Sequence, residues 1–219
     1  MSVPMRCIPA VLACIAMACL AAAGCTGSSA PVNEPAGQDA MTISIAPRLD
    51  GGDKVSSIDV AMTLPAPGLK EGDTFLSMAI VRVMAPSALS DPNSLTASDS
   101  LGTIAMRIEE DPEDPSDFRQ DRRWILERDT AGNVEVRYKL APRVITPSTR
   151  PGPLIDTRTE LWGVYGSGNT MLALPVAGWP RTVRVDWNLD DMPAGARAAS
   201  SIGLGNVEAE VTQQNLNNT

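Results

Sequence analysis

The stretch WILERDTAGNVEVRYKL, residues 124–140, contains the pattern that decides the fold class. From Val134 to Leu140, apolar side chains alternate with charged ones, which is the period of a strand that buries one face. Residues 129–133, DTAGN, collect the residue types that form turns. We therefore expect a strand that begins at Trp124, a turn, and a second strand paired with the first. This arrangement places the Trp124 ring in the core.

The same period-two alternation recurs along the chain and predicts an all-β fold, an antiparallel β-sandwich of roughly ten short strands. Eighteen prolines disfavour long helices. Short helical turns are expected only over residues 85–90 and 117–122. The other predicted strands cover residues 42–46, 58–64, 75–83, 104–108, 161–165, 171–174, 183–187 and 207–211.

The N-terminus has the pattern of an export signal. Arg6 is followed by an uncharged run over residues 8–20. That run is shorter than the roughly 20 residues that a membrane-spanning helix needs, but it suits the apolar region of a signal peptide. The small residues 21–24 that precede Cys25 resemble the lipobox of bacterial lipoproteins. The alternative is an ordinary secretory signal that is cut after one of the alanines.

The lipobox resemblance implies an organisation for the whole chain. Residues 1–24 would be removed as a lipoprotein signal peptide, and Cys25 would carry the lipid. Residues 25–40 are small, polar and proline-bearing, so they predict a flexible tether. Residues 41–219 would form the β-sandwich. Membrane lipid is then a partner through acylated Cys25. The expected location is the bacterial cell envelope, at the outer membrane facing the periplasm, because no Asp follows the cysteine.

Composition excludes several classes of function. The chain has no histidine, and its four cysteines all lie within the first 25 residues. Ser-His-Asp triads and histidine-based zinc sites are therefore excluded. A net charge of −8 disfavours nucleic acid, which is bound by neutralising phosphates. We expect no enzyme activity, no catalytic residue, no metal site and no cofactor.

Three polar clusters have structural explanations that we favour over chemical ones. The acidic residues 109–117 lack the spacing of an EF-hand loop, and the arginines at 119, 122 and 123 follow as counter-charges. The glycines over residues 163–168 match no phosphate-binding motif and predict a hairpin. Asp186, Asp190 and Asp191 lie where a strand enters a turn, and turns commonly use such residues.

The four tryptophans include one candidate for binding. Trp124 and Trp187 lie on strands and predict core anchors. Trp179 lies in the turn sequence Gly178-Trp179-Pro180, where its ring could contact a peptide, a glycan or another envelope protein. Trp179 is therefore the candidate binding residue.

Residues 99–205 resemble a domain of a known family. The stretch over 124–140 is similar to the tryptophan strand, turn and following strand of the N-terminal β-sandwich in the glycyl aminopeptidase family of zinc metallopeptidases. The stretches GSGNTMLALP, VRVDWNLDDMPAG and ASSIGLG are similar to later parts of that domain in bacterial lipoprotein members. The resemblance implies a non-catalytic accessory domain, because the family's zinc helix lies in a separate, following domain. No catalytic or metal residue of the family corresponds to a residue of this sequence.

These observations predict a lipid-anchored envelope protein whose non-catalytic β-sandwich serves as a binding or scaffold module. One alternative is a peptide- or glycan-binding module. Another is the N-terminal accessory fragment of a zinc aminopeptidase whose catalytic domain is missing.

Overall fold

The computed structural model describes residues 40–52, 54–83, 85–88, 90–113, 119–146, 155–160, 163–177 and 182–211. The predicted signal peptide, the tether, Cys25 and Trp179 lie outside these residues. Over the described residues the fold is all-β, as predicted, with one short 3₁₀-helix at Pro92–Ser94 and one four-residue helix, α1, at Gly168–Met171. The strands are β1 Met41–Leu49, β2 Val55–Leu64, β3 Thr74–Arg82, β4 Ala85–Pro86, β5 Thr96–Asp99, β6 Gly102–Ile104, β7 Met106–Glu110, β8 Arg119–Leu126, β9 Val134–Leu140, β10 Arg143–Val144, β11 Arg158–Glu160, β12 Gly163–Tyr165, β13 Leu174–Pro175, β14 Thr182–Trp187, β15 Ala199–Ser200, β16 Gly203–Leu204 and β17 Val207–Glu210.

The largest sheet has seven strands in the order β17-β14-β1-β2-β9-β5-β6. Its interior strand β1 is antiparallel to β2 but parallel to β14. The prediction of an antiparallel fold is therefore wrong at this pair, and also at β10 and β11, which are parallel too. Parallel neighbours need a long crossover, and the chain between β1 and β14 supplies it. Side-chain alternation is the same in both kinds of pairing, so it did not reveal the parallel one.

A second sheet of five strands has the order β13-β3-β8-β7, with β4 paired to β3. Both large sheets contribute buried side chains to one hydrophobic cluster, which includes Ile43 and Val136 from the first sheet and Phe75 and Leu76 from the second. Two small sheets, β10-β11-β12 and β15-β16, are added to this pair. The architecture is thus all-β with several sheets rather than one simple sandwich. The strands beyond the predicted ten are two to four residues long, which is too short to show alternation.

The predicted hairpin between the Trp124 strand and residues 134–140 is wrong. Strand β8 pairs with β3 and β7, whereas β9 pairs with β2 and β5. The turn over residues 127–133 therefore crosses from one sheet to the other. The prediction for Trp124 itself is confirmed, because the residue is 2% exposed. It lies between Leu76 on β3 and Ile108 on β7.

The ion pair between Arg128 and Asp99 stabilises this crossing. Arg128 donates hydrogen bonds to both carboxylate oxygens of Asp99, at 2.8 and 2.9 Å, and another to the Gly102 carbonyl at 2.9 Å. Asp99 also accepts a hydrogen bond from the backbone N–H of Ala131 at 2.8 Å. The Arg128 bonds, with help from Ala131, hold the pKa of Asp99 well below its usual range. These bonds attach the turn to the β5–β6 hairpin. This long-range contact outweighs the local turn sequence, which by itself favours direct pairing of β8 with β9.

The local helix predictions also need correction. Residues 119–122, predicted as part of a helical turn, belong to strand β8, and residues 85–86 form β4. Conversely, the predicted strand at 171–174 begins in helix α1, where the N–H of Leu172 bonds the Gly168 carbonyl at 2.7 Å. In β8, Arg119 pairs with Asp121 on the same strand face. Charged side chains two residues apart lie on the same face of a strand, as here, and not on the same face of a helix.

Candidate functional site

A cavity of about 270 Å³ lies beside the seven-stranded sheet. Its floor is formed by side chains of the first, second and fourteenth strands. Strand β12 with helix α1 forms one wall, and the β15–β16 hairpin forms the other. Such a cavity is slightly smaller than the pockets that usually bind drug-sized ligands. The lining is almost entirely apolar and consists of Ile45, Ile58, Val164, Tyr165, Gly166, Gly168, Met171, Leu172, Val185, Trp187, Ala199, Ser200, Ser201 and Ile202.

Trp187 is the largest side chain that lines the cavity. Its backbone N–H donates to the Asn206 side-chain oxygen at 2.8 Å. Its indole Nε1 is shielded from solvent and has no hydrogen-bond partner among the described residues. The predicted core role is met in part, because Trp187 packs against the core while also lining the cavity. An apolar ligand group would suit this lining.

Tyr138 fastens the α1 wall to the seven-stranded sheet. Its hydroxyl donates to the Met171 carbonyl at 3.1 Å and accepts from the Ala173 N–H at 2.9 Å. Burial raises the pKa of Tyr138 well above its ordinary value, so the hydroxyl stays protonated. The tyrosine of the VEVRYKL alternation thus positions Met171, which lines the cavity. The alternation predicted that Tyr138 is buried but not what it bonds.

A buried ion-pair cluster supports the β12 wall. The side chain of Asp156 is fully buried and accepts hydrogen bonds from Arg143 and from Arg158, the latter at 2.6 Å from Nε. The Arg158 guanidinium also lies over the Tyr165 ring, 5.7 Å from its centroid, in a cation–π contact. Gly166 follows, and a Cβ there would come within 2.6 Å of Thr157 Oγ1. The wall therefore depends on one carboxylate and one glycine.

In the acidic stretch over residues 109–117, three of the described acids pair with arginines, beginning with Glu109, which pairs with Arg107. Glu110 pairs with Arg122, and Asp111 pairs with Arg123. The Arg123 bond, ahead of other contributions, lowers the pKa of Asp111. Among the described residues no group of three or more acidic side chains could hold a metal ion.

The three aspartates near the end of β14 are separated by the fold. Asp186 accepts from Arg184 on the same strand at 2.9 Å. Asp191 accepts from Arg48 of β1 at 2.7 Å. The N–H of Asp190 bonds the Asn188 side chain at 3.0 Å, which is a turn contact. Of the glycines over residues 163–168, Gly163 lies in β12, which pairs with β11, Gly166 follows that strand, and Gly168 begins α1.

Sequence reasoning did not find the cavity, because its lining comes from five separate segments of the chain. The predicted binding residue Trp179 and the lipidation residue Cys25 lie outside the described residues. Within the described ranges, no helix is long and apolar enough to span a membrane.

No protein-family model matches the chain, and neither does any curated protein. Among solved structures, the chain is similar to an aminopeptidase N family protein from Idiomarina loihiensis, with a TM-score of 0.43 and 11% sequence identity. The similarity covers 81% of this chain but only 28% of that one. That description agrees at a coarse level with the peptidase family that residues 99–205 resemble. At this TM-score and identity, the likeness carries no argument about activity.

Proposed function

We propose that the protein is a lipid-anchored component of a bacterial cell envelope whose β domain binds a partner without catalysis. The cavity beside the seven-stranded sheet is the binding site, and it accepts one large apolar side chain of a peptide or envelope protein. The observation that carries this proposal is the cavity of about 270 Å³ with its mostly apolar lining. A cavity of about 150 Å³ is enough for a benzene ring, so an aromatic or branched aliphatic side chain fits.

Several features support a non-catalytic role. The chain has no histidine to act as a general base near neutral pH. In the cavity the polar groups are hydroxyls and an indole rather than carboxylates or amines. Binding and orientation are what such a lining offers, whereas proton transfer and nucleophilic attack need groups that it lacks.

Binding is tested with a matched pair of small probes. N-acetyl-phenylalaninamide should shift the NMR methyl signals of Met171 and Ile202, which line the cavity, with a dissociation constant of about a millimolar. N-acetyl-serinamide has the same amides without the apolar ring and should leave these signals unchanged. Absence of any shift with the first probe, or equal shifts with both, would overturn the proposed site.

The β15–β16 hairpin offers matched variants for this measurement. Ile202→Trp fills the cavity from its wall and should abolish the shifts of the Met171 methyl. Leu204→Trp changes a residue on the same hairpin that is 82% exposed and does not line the cavity. It should bind the probe as the unmodified protein does. Loss of binding in both variants would mean that probe binding depends on the hairpin itself and not on the free volume of the cavity.

The anchor is tested separately at Cys25. Cys25→Ser removes the thiol that the lipid would modify. Acyl chains are the main source of membrane affinity for an acidic chain that lacks a polybasic patch. We expect the variant to leave the membrane fraction or to accumulate as uncleaved precursor, and Cys19→Ser, within the signal, serves as the control. A processed and membrane-bound Cys25→Ser product would contradict lipidation.

The resemblance to the glycyl aminopeptidase family favours a second candidate role, that of an accessory domain beside a zinc peptidase. That role agrees with a binding cavity, since an accessory domain can hold part of a peptide. A reading frame that encodes an H-E-x-x-H helix downstream of residue 219 would support it.

A further inference from the structure

A groove of about 430 Å³ lies on the face of the seven-stranded sheet that points away from the apolar cavity. Consecutive residues of a strand point to opposite faces of the sheet. Ile45 and Ile58 line the cavity, whereas their neighbours Ser44 and Asp59 line the groove. The groove and the cavity share no lining residue, so binding at one does not require the other.

Strand pairing sets the shape of the groove. Ser44 of β1 lies opposite Ala61 of β2, and Ala61 lies opposite Arg137 of β9. In the next row, Lys139 of β9 lies opposite Asp59 of β2. Small side chains on the first two strands thus form a floor, and the two long cationic side chains of β9 form one side above it.

The groove carries positive charge on an acidic chain. Among the described residues, the charged side chains that line it are three cations and one carboxylate, namely Arg48, Arg137, Lys139 and Asp59. The lining therefore has a net charge of +2, whereas the whole chain has a net charge of −8. Complementarity of charge favours an acidic partner at this face.

Arg137 and Lys139 are the cations that a partner can engage most readily. The Arg137 guanidinium lies 3.4 Å from the Glu135 carboxylate, and both side chains are mostly exposed. The Lys139 ammonium lies 3.4 Å from the carboxylate of Asp59. Both distances exceed the roughly 2.7–2.9 Å of a strong charge-assisted hydrogen bond. Arg48, by contrast, already bonds two carboxylates at 2.9 and 2.7 Å. A partner would therefore displace only weak contacts at Arg137 and Lys139.

The positions of these two cations favour two anionic groups over one. Arg137 and Lys139 lie two residues apart on the same face of β9, which separates their Cα atoms by about 7 Å. Arg137 contacts a carboxylate of its own strand, whereas Lys139 contacts one of the neighbouring strand, so their charged ends do not converge on a single point. Every second side chain of an extended peptide has the same spacing. We propose that the groove binds an extended acidic segment of a partner protein. Two carboxylates of this segment lie two residues apart, and one pairs with Arg137 while the other pairs with Lys139.

Three peptides of equal length test the spacing. Acetyl-Ala-Glu-Ala-Glu-Ala-amide should shift the NMR signals of the Ala61 methyl group and the Arg137 Nε–H group, with a dissociation constant of about a millimolar. Acetyl-Ala-Glu-Glu-Ala-Ala-amide has the same charge, but its carboxylates point to opposite sides when it is extended. It should bind about threefold more weakly, the loss of one exposed ion pair. The first peptide with glutamine at both acidic positions should produce no shift. Equal binding of the two acidic peptides would mean that only net charge matters, and the proposal would be wrong.

Vesicles of phosphatidylglycerol test a membrane as the alternative occupant. Their headgroups are anionic, but they lie on a broad surface and not on a narrow chain that can enter a groove. They should leave the Ala61 methyl signal unchanged. A shift of this signal by the vesicles as large as the shift by the acidic peptide would assign the face to a membrane surface and overturn the proposal.

Charge variants test the two contacts one at a time. Arg137→Gln and Lys139→Gln should each weaken binding of the alternating peptide about threefold, measured from the Ala61 methyl signal. Arg107→Gln removes the same charge from an exposed arginine of β7 that does not line the groove, and it should leave binding unchanged. Equal weakening in all three variants would contradict the assigned contacts.

A variant of the floor tests the groove without changing its charge. Ala61→Tyr fills the space between β1 and β9 and should abolish the shift of the Arg137 Nε–H signal. Thr63→Tyr lies two residues further along the same face of β2, does not line the groove, and should bind the peptide as the unmodified protein does. If Ala61→Tyr also binds normally, the peptide does not occupy the groove and the proposal fails.

Discussion

Trp124→Ala should reduce the free energy of unfolding of the β domain by about 3–5 kcal/mol, the usual cost of truncating a large buried aromatic residue. Trp124 is among the largest fully buried side chains, and it packs between the strands β3 and β7. A domain of this size typically has only about 5–15 kcal/mol in total. Urea unfolding followed by circular dichroism should therefore show a much lower midpoint or no folded baseline.

Two further variants make this measurement specific. Leu101→Ala changes a residue that is 75% exposed and should change stability by about 0.5 kcal/mol or less. Trp124→Phe keeps most of the apolar volume and removes an indole N–H that has no partner among the described residues. It should cost less than half as much as the alanine variant. A midpoint for Trp124→Ala near that of the unmodified protein would contradict the burial of this side chain.

Asp156→Ala should have an effect of similar size for an electrostatic reason. The carboxylate is fully buried and forms ion pairs with Arg143 and Arg158, whose side chains are 18% and 7% exposed. Removing one partner of a buried ion pair typically costs about 3–5 kcal/mol, because a charge remains in a poorly solvated place. The loss should appear in urea unfolding. Probe binding in the apolar cavity should also weaken, since Arg158 supports Tyr165 in its wall.

The matched control for Asp156 is Asp191→Ala. Asp191 also pairs with an arginine, Arg48, but the two side chains are 50% and 35% exposed. Pairs of this kind contribute about 0–1 kcal/mol. If the two variants lose equal stability, the cluster around Asp156 is no more important than a surface ion pair.

Most of the strands could be predicted from the sequence, because a half-buried strand shows its two faces in the alternation of its side chains. Val134–Leu140 illustrates this, since its predicted and observed bounds coincide. The partners of the strands could not be predicted in the same way. Alternation tells which side chains face the core, but it carries no information about the neighbouring strand. The pairing of β8 with β3 instead of β9 depends on contacts such as Arg128 with Asp99, which lie 29 residues apart.

The candidate site was even harder to predict, because it depends on which distant segments of the chain come together. Trp187 was identified as an apolar anchor from its strand, but its place in a cavity depends on the β15–β16 hairpin and on α1. Helix α1, which contributes Gly168 and Met171 to the cavity lining, is only four residues long. Its sequence contains two residues that favour turns, so no helical period could reveal it.

The parallel pairing of β1 with β14 delays the completion of the seven-stranded sheet during synthesis of the chain. Strand β1 lies in the interior of the seven-stranded sheet, yet its second neighbour follows about 130 residues later in the chain. At synthesis rates of about 5–20 residues per second, one edge of β1 waits roughly 7–25 s for its partner. Contacts of such large sequence separation also form slowly once both strands exist. A nascent chain would expose an open strand edge throughout this interval, and open edges promote aggregation. Chaperone binding that keeps the chain unfolded until β14 has been made would protect this fold, and export in the unfolded state has the same effect.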